Sequence, residues 1–156
     1  MSADRRQFLV VVDDTPECKL AIHYAGLRAA RTGGGVSLLY IIEPADRQAW
    51  GSIEHLMRTE ARDEALRILT ELSEQMRHDH SIAVEMIVRE GKKSEALMKL
   101  LAEDPTIRVL VLGAASGKEG PGPLVSYLAG QVAGSLRVAL TLIPGGISRA
   151  QVESLA

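Results

Sequence analysis

A glycine-rich loop between two apolar runs is the segment of this chain best suited to bind a ligand. Gly113 ends the apolar run Ile107–Leu112. The loop after it contains Ser116, Gly117 and Gly120, and a helical apolar pattern follows. Backbone N–H groups in such a loop, and at the start of the helix after it, present partial positive charge to an anion. The segment therefore predicts a site for a phosphate-bearing ligand.

The pair Gly117-Lys118 in this loop does not form a P-loop. The motif G-x4-G-K-S/T would need glycine at Leu112 and a hydroxyl residue at Glu119. Lys118 could still reach a phosphate, although Glu119 beside it opposes an anion. A solvent-exposed loop tip is the alternative interpretation of this pair.

Asp13 is the second candidate for a functional residue, because it follows the apolar run Phe8–Val12 directly. The pattern Thr15-Pro16-Glu17 predicts a helix that begins just after it. Asp13 is therefore either a turn acid ahead of Thr15 or a ligand contact, and its position at the end of a buried strand favours the contact.

The elements that position these residues alternate between strand and helix. Continuous runs of β-forming residues predict strands buried on both faces, the alternating run Ile82–Val88 predicts a further strand, and apolar residues at helical spacing predict the helices. The predicted strands are Phe8–Val12, Val36–Ile42, Ile82–Val88, Ile107–Leu112 and Val138–Ile143. The predicted helices are one from Pro16 to the glycines at Gly33, then Ser52–Asp79, Ser94–Glu103 and Leu124–Leu136, with a short tail after strand five. This order indicates an α/β fold, an open, doubly wound parallel sheet with helices on both faces.

Length and composition limit the classes of protein that this chain can be. With 156 residues and 46% hydrophobic residues, one globular domain over residues 1–156 is expected. A net charge of −2 without a basic stretch argues against nucleic-acid binding and against an electrostatic membrane anchor. The single cysteine, Cys18, precludes an intrachain disulfide. No signal peptide or membrane span is evident, so we expect a cytoplasmic protein.

No catalytic or metal-binding constellation is evident in the sequence. The four histidines show no ligand spacing with one another or with Cys18, and no serine has the G-x-S-x-G context of a nucleophile. An ATPase would need a metal-holding acid and a base near the γ-phosphate, for which only Asp13 and Glu119 are candidates. The sequence therefore predicts a non-catalytic protein, with weak ATPase activity as the alternative.

Four segments resemble the universal stress protein family: FLVVVDDTPECKLAIHYA, GGGVSLLYIIEP, VREGKKSEALMKLLAED and IRVLVLGAASG. The resemblance covers nearly the whole chain and implies five parallel strands in the order 3-2-1-4-5. It also implies ATP or another adenine nucleotide at the carboxyl edge of the sheet, with Mg²⁺ entering only with a bound nucleotide. In that arrangement Asp13 contacts the nucleoside and the backbone of Ile41 contacts the adenine edge.

The loop after strand four takes ribose and phosphates in the nucleotide-binding members, which carry G-x2-G-x9-G followed by Ser or Thr. This chain departs from that motif, and two registers are possible. In the ungapped register Gly113 keeps the first glycine, while Ser116, Ser126 and Tyr127 replace the other residues. In the second register Gly117, Gly120 and Gly130 reproduce the spacing, but Gln131 replaces the hydroxyl residue. The candidate phosphate-binding residues are therefore Gly113, Ser116, Gly117, Gly120 and Ser126.

The resemblance further implies a homodimer that pairs the edge strand Val138–Ile143 with its copy. Because the glycine motif is altered, a dimeric interaction scaffold without a nucleotide site is the alternative function. That alternative predicts a loop that tolerates Gly117→Ala or Gly120→Ala. Trp50 lies in the loop before the long helix, where it would cover either the site or the dimer surface.

Overall fold

The computed structural model describes residues 5–44 and 52–156, which form a parallel sheet with helices on both faces. Trp50 lies outside the described residues. The strands are β1 Gln7–Val11, β2 Gly35–Ile42, β3 Val84–Glu90, β4 Ile107–Ala114 and β5 Ala139–Pro144. The helices are α1 Pro16–Thr32, α2 Ser52–His80, α3 Lys93–Glu103, α4 Pro123–Ser126 and α5 Arg149–Leu155.

The strand order is β3-β2-β1-β4-β5, and every neighbouring pair is parallel. The predicted α/β class and the order 3-2-1-4-5 are therefore confirmed. β1 lies at the centre, and the chain leaves it toward β2 on one side and returns to β4 on the other. This point of reversal is where open parallel sheets form a crevice at the carboxyl ends of their strands.

Alternate residues of the central strands point to opposite faces and build two separate apolar cores. On one face Phe8, Val10 and Val36 pack with buried residues of α1, α2 and α5. On the other face Leu9, Leu39 and Leu110 pack with buried residues of α3 and with Leu128. Because both faces are covered, the strands are continuously apolar, as parallel strands commonly are.

The predicted single helix over Leu124–Leu136 is wrong. The structure has α4, then a π-helical turn Tyr127–Gln131 and a 3-10 turn Ala133–Ser135. Gly130 and Gly134 lie in this stretch, and glycine in a helix interior costs about 1 kcal/mol relative to alanine. The N–H of Val132 accordingly bonds back to the carbonyl of Tyr127, at 3.3 Å, instead of continuing an α-helix. Leu128 is buried as predicted, whereas Ala129 and Ala133 are exposed.

Helix α2 is longer than the sheet that it covers. Its 29 residues span about 43 Å, whereas the seven residues of β3 span about 23 Å. Arg58 pairs with Glu90 at the end of β3 at 3.1 Å, so the helix before Arg58 extends past the carboxyl edge. Leu56 and Met57, predicted to be buried, are therefore 55% and 50% exposed.

The sequence analysis missed α5, the C-terminal helix. A capping box between Ser148 and Gln151 starts it, and the fully buried Val152 fixes it against α1. His23, buried in α1, lies 3.0 Å from a carboxylate oxygen of Glu153. The ring of His80, at the end of α2, lies 5.5 Å from that of His23, so three helices meet at this cluster.

We expect the stability of the protein to fall on mild acidification because of His80. Burial first, and then the neighbouring His23 and Arg149, hold its pKa below the ordinary 6.5, while Asp79 opposes this shift. The unfolded chain then binds a proton at higher pH than the folded chain does. Stability is thus full above about pH 6.5 and declines as the pH falls through the lower folded-state pKa.

The measurement is the difference between thermal unfolding midpoints at about pH 7.5 and pH 5.5. His80→Phe keeps a ring against Gly26 but cannot titrate, so it should reduce that difference. His78→Gln, at an exposed position of the same helix, should leave it unchanged. An identical pH dependence in wild type and His80→Phe would contradict this assignment.

Candidate functional site

A cleft of about 670 Å³ lies at the carboxyl edge of the sheet. Its floor is formed by the ends of β1 and β4, at Val11, Leu112 and Gly113. The start of α1 and the start of α3 form two of its sides, and the segment around α4 forms a third. This is the edge where the sequence predicted a ligand site. The size is that of ordinary small-molecule sites.

Asp13 is a turn acid ahead of Thr15, and it also lines the cleft. One carboxylate oxygen, Oδ1, accepts hydrogen bonds from the backbone N–H and the hydroxyl of Thr15. Thr15 in turn caps α1, because its Oγ1 accepts from the N–H of Cys18 at 3.3 Å. Asp13 is exposed and lines the cleft, and among the described residues no donor contacts its other oxygen, Oδ2. The turn therefore holds the carboxylate through Oδ1 and leaves Oδ2 without a hydrogen-bond partner among the described residues.

Cys18 forms a buried part of the cleft wall. Its Sγ accepts from the N–H of Asp13 at 3.4 Å and lies 3.6 Å from the carbonyl of Val11. Burial, together with the carboxylates of Asp13 and Glu17, raises the pKa of the thiol to about 12, against a smaller lowering by the Asp13 N–H. Cys18 is thus a neutral, buried structural thiol that links β1 to α1.

Gly113 is required by packing between β4 and α1. A Cβ at this position would lie 2.5 Å from the backbone carbonyl carbon and oxygen of Glu17. Real Cβ atoms do not approach backbone that closely, so only glycine lets the first turn of α1 lie on the end of β4. This role does not depend on a ligand.

The loop from Ala115 to Gly122 folds back on itself. The N–H of Ala115 donates to the carbonyl of Pro121 at 3.1 Å, and the N–H of Gly120 donates to that of Gly117 at 3.3 Å. Gly120 and Gly122 have φ of +90° and +114°, so alanine at Gly120 would be strained. The expectation that the loop tolerates Gly120→Ala is therefore wrong. Gly117 has no such constraint and no neighbour within 4 Å of an added Cβ.

Ile41 lies on the β1 side of β2, just beyond the end of β1. Leu39 is the last residue of β2 in register with β1, and its carbonyl accepts from the N–H of Val12. Backbone groups alternate between the two sides of a strand, so the peptide groups of Ile41 face the same side as those of Leu39. The side chain of Ile41 is only 6% exposed and packs in the second core.

The predicted site residues are only partly brought together. Asp13 and Gly113 line the cleft, and Ile41 lies near it with its backbone. Ser116, Gly117 and Ser126 are exposed, Gly120 is half-buried, and none of the four lines the cleft.

Other lining residues were missed by the sequence analysis, namely Lys92, Lys93 and Ser94. They follow the carboxyl end of β3. They were therefore accessible to the same rule that selected Asp13.

The charge around the cleft is unevenly distributed. Among the described residues, four carboxylates line it (Asp13, Asp14, Glu17 and Glu43), three of them at the start of α1. The described cations that line it are Lys92 and Lys93, both at the start of α3. The Lys93 ammonium lies 3.7 Å from Glu43, and Lys92 makes no ion pair with the described residues. The acidic and basic sides of the cleft thus belong to different helices.

Within residues 5–44 and 52–156, no group of three or more His, Cys, Asp or Glu side chains is placed to hold a metal ion. None of the helices in these ranges has the length and hydropathy that crossing a membrane requires.

Several known proteins share this architecture. No curated protein sequence matches the chain at a significant level. Among solved structures, the universal stress protein UspA from Lactobacillus plantarum has a TM-score of 0.75 and 16% identity, over 88% of this chain and 97% of its own. A universal stress protein in complex with cAMP has a TM-score of 0.61 and 16% identity, over 92% and 99%. One from Archaeoglobus fulgidus in complex with dAMP has a TM-score of 0.58 and 16% identity, over 90% and 98%.

Because these solved structures are each only 16% identical to the chain, they establish the fold alone. The family itself is established by a sequence model, which is described as the universal stress protein family and matches residues 4–138. That match includes strands β1 to β4, the glycine-rich loop and the described lining of the cleft. Strand β5 follows the matched residues. The chain therefore belongs to the universal stress protein family.

Proposed function

We propose that this chain is a non-catalytic, cytoplasmic universal stress protein that binds an adenine nucleotide in the cleft at the carboxyl edge of the sheet. The observation that carries the proposal is the carboxylate of Asp13, which lines a cleft of about 670 Å³ and whose Oδ2 has no hydrogen-bond partner among the described residues. Two structurally similar family members are complexes with cAMP and dAMP, which supports an adenine nucleotide as the ligand.

Each contact in the proposed complex follows from the chemistry of the group that makes it. Oδ2 of Asp13 accepts a hydrogen bond from a ribose hydroxyl, which a carboxylate oxygen does strongly. The peptide group of Ile41 offers one donor and one acceptor at the end of β2. Gly113 leaves the floor of the cleft without a side chain. Mg²⁺ enters only with the phosphates of a bound nucleotide.

Calorimetric titration and thermal unfolding with adenosine, AMP and ATP test this proposal. Ligand at 100 times its Kd adds about 2.7 kcal/mol to the free energy of unfolding, which a melting curve resolves readily. Asp13→Asn keeps an Oδ1 acceptor for Thr15 but replaces the free acceptor by a donor. It should weaken binding by at least about tenfold with little loss of stability.

Asp14→Asn is the matched control, because Asp14 is the next residue, is also exposed and also lines the cleft. It should change nucleotide affinity much less than Asp13→Asn does. If millimolar adenosine, AMP and ATP leave the wild-type melting curve unchanged, nucleotide binding is refuted.

A dimeric interaction scaffold is the second candidate function. It is favoured by the loop after β4, which is closed by its own hydrogen bonds and whose residues Ser116, Gly117 and Gly120, like Ser126, lie outside the cleft lining. A scaffold would fold normally and show no response in the titrations above.

Either function would use a homodimer, which we propose to form along β5. The two edges of the sheet differ in how their backbones are protected. At the β3 edge, Arg77 donates to the carbonyl of Val84 at 2.9 Å, and Arg89 forms an ion pair with Glu103 at 3.8 Å. Strand β5 contains no charged residue. Charged side chains on an edge strand oppose pairing with another chain, so β5 is the edge better suited to it.

A further inference from the structure

We infer that Tyr127 and Gln131 determine which ligand the cleft accepts, and that they restrict it to adenine nucleotides with a single phosphate group. This inference rests on the proposed function, since it concerns the same ligand in the same cleft. Both residues line the cleft, and they begin and end the π-helical turn that follows α4. The backbone of this turn therefore fixes their positions relative to each other.

The turn departs from α-helical geometry where it borders the cleft. The N–H of Val132 donates to the carbonyl of Tyr127 at 3.3 Å, five residues back along the chain. Turns of this type are rare in proteins and are frequently found at functional sites. Ser126, directly before the turn, is exposed and lies outside the cleft lining. Among the described residues of this wall, the side-chain hydroxyl that lines the cleft therefore belongs to Tyr127.

The side chain of Tyr127 combines an anchored ring with an unpaired hydroxyl. Its ring is half-buried and packs against the second core, on the same face of the sheet as Leu110 and Leu128. Its hydroxyl makes no hydrogen bond to a described residue. Such a side chain is suited to donate to a phosphate oxygen, because hydrogen bonds to charged oxygens are strong.

Gln131 supplies a second neutral donor on the same wall. Its side-chain amide carries two N–H groups, and it also makes no hydrogen bond to a described residue. Residues four apart in a helical turn lie on the same face, one above the other. The hydroxyl of Tyr127 and the amide of Gln131 are thus placed to hold one phosphate group between them.

The same wall offers a longer phosphate chain little to bind. Pro121 and Pro123 line it, and proline has no N–H to donate. The phenol ring of Tyr127 also occupies space that a serine or threonine at this position would leave open. A second and a third phosphate would lose contacts with water and gain few from the protein. Because unpaired charged groups weaken binding, we expect AMP to bind in preference to ATP.

Titrations with adenosine, AMP and ATP in excess Mg²⁺ test the inference, because Mg²⁺ brings the net charge of ATP close to that of AMP. Wild type should bind AMP at least about tenfold more tightly than ATP. Tyr127→Phe keeps the ring and removes the hydroxyl, so it should raise the Kd for AMP about tenfold without changing the Kd for adenosine. Gln131→Met keeps the side-chain length but not the amide, and should raise the Kd for AMP about threefold.

Tyr127→Ser separates the effect of the ring from that of the hydroxyl. It keeps a hydroxyl but opens the wall, so it should reduce the preference for AMP over ATP to about threefold or less. Ser126→Ala is the control beside the turn. Tyr40→Phe is the control for the loss of a phenol hydroxyl, because Tyr40 is half-buried against the first core and lies outside the cleft lining. Both controls should leave the three constants unchanged.

The outcomes separate the inference from the proposed function. If wild type binds neither adenosine nor AMP, the proposed function fails and the inference fails with it. If wild type binds both, but Tyr127→Phe and Gln131→Met bind AMP as tightly as wild type does, only the inference fails. Equal affinity of wild type for ATP and AMP would also overturn the inference and leave the proposed function intact.

Discussion

Gly113→Ala should lower the free energy of unfolding by about 3 kcal/mol, measured by urea denaturation. The added methyl would meet the backbone carbonyl of Glu17 at 2.5 Å. Backbone at the first turn of α1 cannot rotate away as a flexible side chain can, so either α1 or the end of β4 must shift. Because Asp13 and Cys18 belong to the same turn, such a shift would also deform the cleft.

Gly117→Ala is the matched control for this prediction. It lies in the loop that follows β4, but nothing lies within 4 Å of its added Cβ, and its φ is not in the left-handed region. We expect its free energy of unfolding to stay within about 0.5 kcal/mol of wild type. If both variants were equally stable, Gly113 would not be needed for helix packing and a ligand role would have to explain it.

Thr141→Glu should convert the proposed homodimer to a monomer, measured as a halved mass in light scattering. Thr141 lies near the middle of β5, Ala139–Pro144. When an edge strand pairs with its own copy about a twofold axis, central residues of the two strands lie close together. Two glutamates there would be adjacent like charges, and the apolar edge would carry the kind of residue that blocks pairing.

Met86→Glu is the control at the opposite edge. Met86 is 40% exposed on β3, where Arg77 and Arg89 already protect the strand, so this variant should keep the wild-type mass. A wild-type mass equal to one chain at every concentration would refute the dimer itself. Loss of the dimer in Met86→Glu but not in Thr141→Glu would show that the interface lies at the β3 edge and not along β5.

The central strands β1, β2 and β4 were predictable because both of their faces are buried. A run such as Phe8–Val12 has no polar face, and that pattern requires cover on two sides and hence a parallel α/β sheet. The first helix was equally clear, because Thr15, Pro16 and Glu17 are a start signal that acts within one turn. These signals are local and depend little on what packs against them.

The predictions failed where local preference and tertiary packing compete. The segment after Pro123 has helical spacing, but Gly130 and Gly134 weaken the α-helix enough for other turns to replace it. Leu56 and Met57 have the right spacing to be buried, yet the sheet ends before it reaches them. Helix α5 was missed because its single buried residue, Val152, gives no periodic pattern.

The sequence by itself determined the family and the strand order that the family implies, and it predicted a ligand site at the edge of the sheet where the cleft lies. It could do so because the end of a buried strand is marked by the first polar residue after it, as at Asp13. Only the tertiary structure decided which strand ends face the same cleft. It placed Lys92 and Lys93 in the lining and left Ser116 and Ser126 outside it. It also showed that Gly113 makes room for Glu17, a contact between residues about 100 positions apart that no local pattern could reveal.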